Sequence, residues 1–189
     1  MNLGDYKFNK KKEYSDDKYS VFSFSGEKGK FRRLVCEKES LCIFPFDLNN
    51  SDQIQNVYVS KYHDYHTNSP ETCCITKTFD PNKFDSHYDA MCSILKEELG
   101  VNDVELDDIY YLGKVKHTIP FTKEYRCYAV NLSNSVESPG KFKVSIPQSE
   151  KDKKLYSIDC VRFNRIVNGE INDSLSLACA LLLLSYLND

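Results

Sequence analysis

The stretch "FDPNKFDSHYDAMCSILKEELGV", residues 79–101, decides how this chain is read. Its second half predicts a helix over about 86–99. Ser86 and Asp89 fit an N-capping arrangement, and Gly100 suits the position just past the helix end. At 3.6 residues per turn, Tyr88, Met91, Cys92, Leu95 and Leu99 form one broad apolar face. Ile94, Glu97 and Glu98 stand at i, i+3 and i+4, on a neighbouring face. Two adjacent carboxylates at a helix end can supply part of the hard-oxygen shell that a magnesium ion needs. A third acid one turn earlier would strengthen such a site, and this chain carries Ile94 there. On spacing alone, Lys-Glu-Glu near a helix end reads as a solvated face.

Working outward, the segments before the helix read as strands. "YSVFSFS" (19–25) alternates, "GEKG" (26–29) breaks the chain and "KFRRLVCE" follows, which suggests a hairpin. "SLCIFPF" (40–46) is a strand of the buried type, "QNVYVSKY" (55–62) is another, and "TCCITKTF" (72–79) a further one. After the helix come "IYYLGKVKH", "EYRCYAVNLS" and "YSIDCVRF" as strands, with a long polar loop at 134–154. A last helix begins near Asp173 and runs to about Leu187. It is apolar on most faces, which predicts burial in the core or in an oligomer interface. Residues 1–18 are polar, with the mixed charge run "NKKKEYSDDK", and read as a solvated arm. Residues 19–189 read as one domain, with no linker and no internal repeat. Strands, helix, strands, helix is the order of an α+β sheet with helices packed on it.

The 189 residues are enough for one domain with a core. A net charge of −3 argues against a general nucleic-acid binder. The eight cysteines include no CxxC, and the adjacent pair Cys73–Cys74 has poor zinc geometry. The N-terminal residues contain no apolar leader, so a reducing, cytoplasmic setting with free, buried thiols is expected. The longest apolar run, "LACALLLLSYL", is too short to span a bilayer, so no membrane partner is expected.

The segment 79–101 resembles the Nudix box: Gly, five residues, Glu, seven residues, then Arg-Glu-U-x-Glu-Glu-x-Gly-U, with U a bulky aliphatic residue. Without a gap, Leu95, Glu97, Glu98, Gly100 and Val101 match. Asp85 falls on the first Glu as a shorter acid. Phe79 stands for the Gly, Ser93 for the Arg and Ile94 for the following Glu. The flanking strands sit where the family has them. "NGEINDSLSLACALLLL" is similar to the tail of ADP-ribose pyrophosphatases, where a G-x-I-x-D turn precedes an alanine- and leucine-rich helix. The resemblance covers roughly residues 19–189. It implies an α/β/α sandwich with a mixed sheet, and an N-terminal β-hairpin extension of the kind those enzymes use in dimers.

What the resemblance implies for chemistry is double-edged. In the family, box glutamates bind magnesium or manganese against a pyrophosphate, and the metal helps to activate water. Glu97 and Glu98 fall on ligand positions. Ile94 can neither coordinate a cation nor accept a proton, and its loss as a ligand weakens metal affinity. Ser93 and Asp85 weaken a bracing contact of the loop, although Asp85 or Ser86 could cap the helix instead. Phe79 replaces a flexible residue and could fill the cleft.

A replacement base is sought in the 134–154 loop, with Glu137, Glu150 and Asp152, or at Glu124; solvated charge is the plainer role for each. The histidines form no HxH or HxxxH pair. His63 and His66 read as surface residues and His117 could line a cleft. Tyr58, Tyr62 and Tyr65 could stack a base, though packing is commoner for strand tyrosines.

Two functions compete. One is a divergent Nudix-type protein with weakened or lost pyrophosphohydrolase activity, binding a nucleoside diphosphate or a protein or ribonucleoprotein partner. The other is an active, magnesium-dependent pyrophosphohydrolase of ADP-ribose or nucleoside-diphosphate sugars. The altered box favours the first.

Overall fold

In the computed structural model, residues 9–15, 19–26, 29–36, 39–64, 69–102, 104–117, 121–135, 156–171 and 173–188 are described. In chain order the elements are β1 (Asn9–Ser15), β2 (Tyr19–Gly26), β3 (Gly29–Cys36), β4 (Ser40–Leu48), β5 (Ile54–Asp64), β6 (Ser69–Cys73), β7 (Ile75–Thr78), α1 (His87–Leu99), β8 (Ile109–His117), β9 (Phe121–Asn131), β10 (Tyr156–Arg162), α2 (Phe163–Val167) and α3 (Ser174–Asn188). All ten strands join one mixed sheet. Its main path runs β1-β2-β3-β9-β4-β5-β10, with β6 beside β5, β7 beside β4 and β8 beside β9.

The centre of the sheet is the parallel pair β4–β9, in register from Ser40↔Tyr125 to Phe46↔Asn131. β4 is buried along nearly its whole length, which is why "SLCIFPF" reads as a continuous apolar run rather than an alternating one. The period of two sorts its side chains between two layers. Cys42, Phe44 and Phe46 face α2 and α3, together with Val57, Val59, Cys127 and Ala129. Leu41 and Ile43 face α1, together with Tyr58, Ile75, Tyr128 and Val130. The result is the expected α/β/α sandwich.

α1 forms where the capping residues place it. Ser86 Oγ accepts the Asp89 N–H at 3.1 Å, and Gly100 closes the helix with φ 70°. Its buried face is Ala90, Met91, Ile94, Leu95, Glu98 and Leu99. That differs from the expected face: Ile94 and Glu98 point inward, while Tyr88 and Cys92 are only half-buried. At α3 the aspartate of the G-x-I-x-D motif is the capping residue. Asp173 Oδ2 accepts the Ser176 N–H at 2.7 Å and its hydroxyl at 2.8 Å. α3 buries Leu175, Ser176, Cys179, Ala180 and Leu183 and leaves Leu177, Leu181, Leu182, Tyr186 and Leu187 exposed.

Two local expectations change. Residues 9–15, read as part of a polar arm, form β1 on the sheet edge beside β2. All seven of its side chains are exposed, so its sequence carries no apolar signal. The β2–β3 hairpin is present, in register from Tyr19↔Cys36 to Gly26↔Gly29. "TCCITKTF" is two strands: it breaks at Cys74, and the two parts pair with different neighbours, β6 with β5 and β7 with β4. The five-residue α2 carries no periodic signal at that length. No helix among the described residues is long and apolar enough to cross a membrane.

Candidate functional site

The box acids sit at the C-terminal end of α1, over β7. On β7, Ile75 belongs to the α1-facing core, and a period of two directs Lys77 to the same side. There the Lys77 Nζ meets Glu98 Oε1 at 2.6 Å, with the Glu98 side chain 3% exposed and that of Lys77 43% exposed. The carboxylate most deeply placed in the box is therefore engaged by an ammonium from the strand that leads into it.

The other box positions complete the picture. Ile94, 6% exposed, packs among Leu41, Ile43, Tyr58, Ile75 and the apolar residues of α1. Glu97 is exposed and accepts from the Ser93 hydroxyl at 3.4 Å. Leu95 and Val101 are buried in the same core. Asp85 is exposed, and Ser86 is the residue that caps the helix.

A divalent ion would find a poor donor set here. One ligand position is aliphatic core, one is held by a lysine and one faces solvent. Among the described residues, no group of three acids with converging oxygens includes Glu97 or Glu98. These side chains, as arranged, do not suit magnesium or manganese, because a hard cation needs several converging oxygens.

A second constellation lies on the same side of the sheet, at the N-terminal end of α1. Glu39 accepts from the Arg126 Nε–H and lies 3.2 Å from His87 Nε2. His87 Nδ1 is 3.3 Å from the Tyr128 hydroxyl. A carboxylate only accepts, so Nε2 carries the proton and Nδ1 accepts from Tyr128 in the neutral ring. Burial pushes the His87 pKa down, and Arg126 takes up the charge of Glu39. Phe79 packs edge-on to the His87 ring at 4.6 Å, and Tyr111 stands 5.2 Å from the Tyr128 ring. Phe79 is thus partly buried against the α1 core and covers His87.

Lys77, Glu39, Arg126 and His87 were not legible as site residues. They come from β7, the residue just before β4, β9 and the start of α1, and no spacing in the sequence joins them.

The remaining candidates fall into place individually. Glu124 pairs with Lys114 at 2.9 Å, and this bond and charge hold its pKa below the usual range, away from the value that suits a general base. Tyr58 is buried, and its hydroxyl donates to Asp47 Oδ2 at 2.8 Å. Tyr62 is half-exposed on β5. Glu137, Glu150, Asp152, Tyr65 and His66 lie outside the described residues, as do the side chains of His63 and His117.

No protein-family model and no curated protein matches the sequence. Solved structures do match the fold. A crystal structure of an ADP compounds hydrolase superposes on 100% of this chain and 97% of its own, at 15% identity and TM-score 0.63. The C-terminal domain of mouse MUTYH, crystallised with human PCNA, covers 81% of this chain and 91% of its own at 13% identity and TM-score 0.54. The NUDIX domain of Shewanella oneidensis NrtR, complexed with ADP ribose, covers 80% and 89% at 12% identity and TM-score 0.53. The chain has the Nudix fold.

Proposed function

From that fold we propose that this chain is a divergent Nudix-type protein with weakened or lost pyrophosphohydrolase activity, working as a binding module. The observation that carries the reading is the Lys77–Glu98 pair at 2.6 Å. A protein-borne ammonium neutralises the carboxylate that a metal would use. It brings one charge rather than two and no vacant coordination position, so it cannot activate water as a divalent ion does. Ile94, in the core, removes a second ligand position.

The ligand we favour is a nucleoside diphosphate. Support comes from the ADP-ribose complex of the NrtR domain and from the Glu39–Arg126–His87–Tyr128 constellation, where Arg126 offers planar donors and exposed Tyr111 a face for a base. A protein or ribonucleoprotein partner is the other occupant of this reading; the MUTYH domain, solved with PCNA, is a neighbour of that kind. Homodimerisation through the N-terminal strands is part of the proposal, to be read by sedimentation.

The second reading is an active pyrophosphohydrolase in which Lys77 swings aside and Glu97 and Glu98 hold the metal. It is favoured by the retention of both acids and by Lys77's partial exposure. One experiment separates the two. The protein is incubated with ADP-ribose, nucleotide sugars and dinucleoside polyphosphates, with magnesium or manganese, and released phosphate is measured after phosphatase coupling. The binding module gives no turnover above background and a rise in Tm with ADP-ribose. Turnover that vanishes in Glu98→Gln would overturn it.

A further inference from the structure

On the opposite side of the sheet from the box, three buried cysteines converge. Cys42 comes from β4, Cys74 from the break between β6 and β7, and Cys179 from α3. Their sulfur atoms all lie within 4.8 Å of one another, and Cys42 Sγ is 3.6 Å from Cys179 Sγ. Each is 0% exposed. A fourth thiol, Cys127 on β9, is the register partner of Cys42 across the central parallel pair and belongs to the same core layer. We propose that Cys42, Cys74 and Cys179, with Cys127 alongside, form a structural site for a soft d10 cation, zinc or copper(I), that pins α3 to the sheet.

The geometry suits that class of ion. Zinc–thiolate bonds of about 2.3 Å place tetrahedral sulfurs about 3.8 Å apart; Cys42 and Cys179 stand 3.6 Å apart, and no pair of the three is separated by more than 4.8 Å. Soft thiolates select zinc and copper(I) over hard ions such as magnesium. The surroundings are more than apolar packing. The Cys74 thiol and backbone N–H both reach Ser176 Oγ, at 3.2 and 2.9 Å, and the Ser176 hydroxyl donates to Asp173. Such a relay orients a ligand, and its carboxylate favours a nearby cation. The protons are unevenly held. Burial pushes the Cys74 thiol up, but hydrogen bonds with Cys179, Cys42 and Ser176 bring it down to about 6. Hydrogen bonding with Cys127 and the other thiols holds Cys42 well above the usual thiol value. Binding of the ion would displace the thiol protons to solvent. Complete burial makes this a closed site, loaded as the chain folds and resistant to chelators afterwards.

The test uses the whole protein, expressed with added zinc and, separately, with added copper. Elemental analysis after gel filtration is expected to find close to one ion per chain. Cobalt(II) substitution should give the near-ultraviolet sulfur-to-metal band and visible absorption of a thiolate site. Cys42→Ala and Cys179→Ala lose the ion, while Cys160→Ala, an exposed thiol on β10, retains it. If the core variants do not fold, the wild-type cobalt spectrum decides. Protein that stays metal-free under both supplements with no cobalt–thiolate band, or a Cys42–Cys179 disulfide found by mass spectrometry, would overturn the proposal.

Discussion

At the scale of single residues, the chain differs from a metal-binding box by where three side chains point. Lys77 contributes a charge that Glu98 needs: a carboxylate 3% exposed is strongly destabilised without a partner. Lys77→Met should therefore lower stability by about 2–3 kcal/mol, less than for a fully buried pair because the lysine is partly solvated. Lys77→Met/Glu98→Gln should regain much of that stability by chemical denaturation, and millimolar magnesium should leave the Tm of the wild type unmoved. A magnesium-induced rise in the wild type's Tm would count against the lysine as occupant. Restoring the missing acid is expected to fail. Ile94 fills core space, so Ile94→Ala should lose about 2–5 kcal/mol by chemical denaturation. Ile94→Glu should lose more than Ile94→Ala and gain no hydrolysis, because its carboxylate would enter an apolar cluster. His87 adds a pH signature. Burial lowers its folded pKa, so the unfolded chain binds the proton more readily. Its contribution is complete above the unfolded value, about 6.5, and is lost as pH falls from there through the lowered folded value. Stability measured from pH 8 down to 5 should fall more steeply in the wild type than in His87→Phe.

At the scale of elements, legibility follows how much of a signal is local. α1 could be read because its caps and period lie within one stretch: Ser86 and Gly100 end it as their chemistry requires. Its orientation could not, because the helix alone does not reveal that Lys77 waits on β7 to receive Glu98. β4 was legible as a doubly buried strand, whereas β1 was not, since an edge strand with every side chain in solvent looks like a polar arm. The break at Cys74 was hidden because both halves share the same β-prone composition, and only pairing to different neighbours divides them. The thiol cluster was the least visible feature, since Cys42, Cys74 and Cys179 are brought together by the sheet and α3 and by no spacing. Caps offer a clean check of the local part. Ser86→Ala should reduce stability by about 1 kcal/mol, and Asp85→Ala, at an exposed position beside it, by less than about 0.5 kcal/mol. Equal losses in thermal denaturation would mean that Asp85 shares the capping role.

At the scale of the whole molecule, the two core layers and the N-terminal strands are separable. Both core clusters are built from β4 onward; among the described residues neither includes one from β1, β2 or β3. Those three strands join the rest through β3 and β9, whose parallel register consists of Leu34↔Phe121 and Val35↔Thr122. β9 meanwhile keeps β4 on one side, from Tyr125 to Asn131, and β8 along the other, so its pairing in the core does not depend on β3. The hydrophobic burial that stabilises a domain scales with the apolar area removed from water, and here that area lies between the sheet and its helices. A chain beginning at Glu39 should therefore fold, keep its cooperative thermal transition and lose only a few degrees of Tm. If the N-terminal strands hold two copies together, as proposed, the same truncation should convert the species seen by sedimentation to a monomer while the Tm changes little. Loss of the cooperative transition would show instead that β1–β3 are part of the folding unit, and that the short β3–β9 register carries more than its two residue pairs imply.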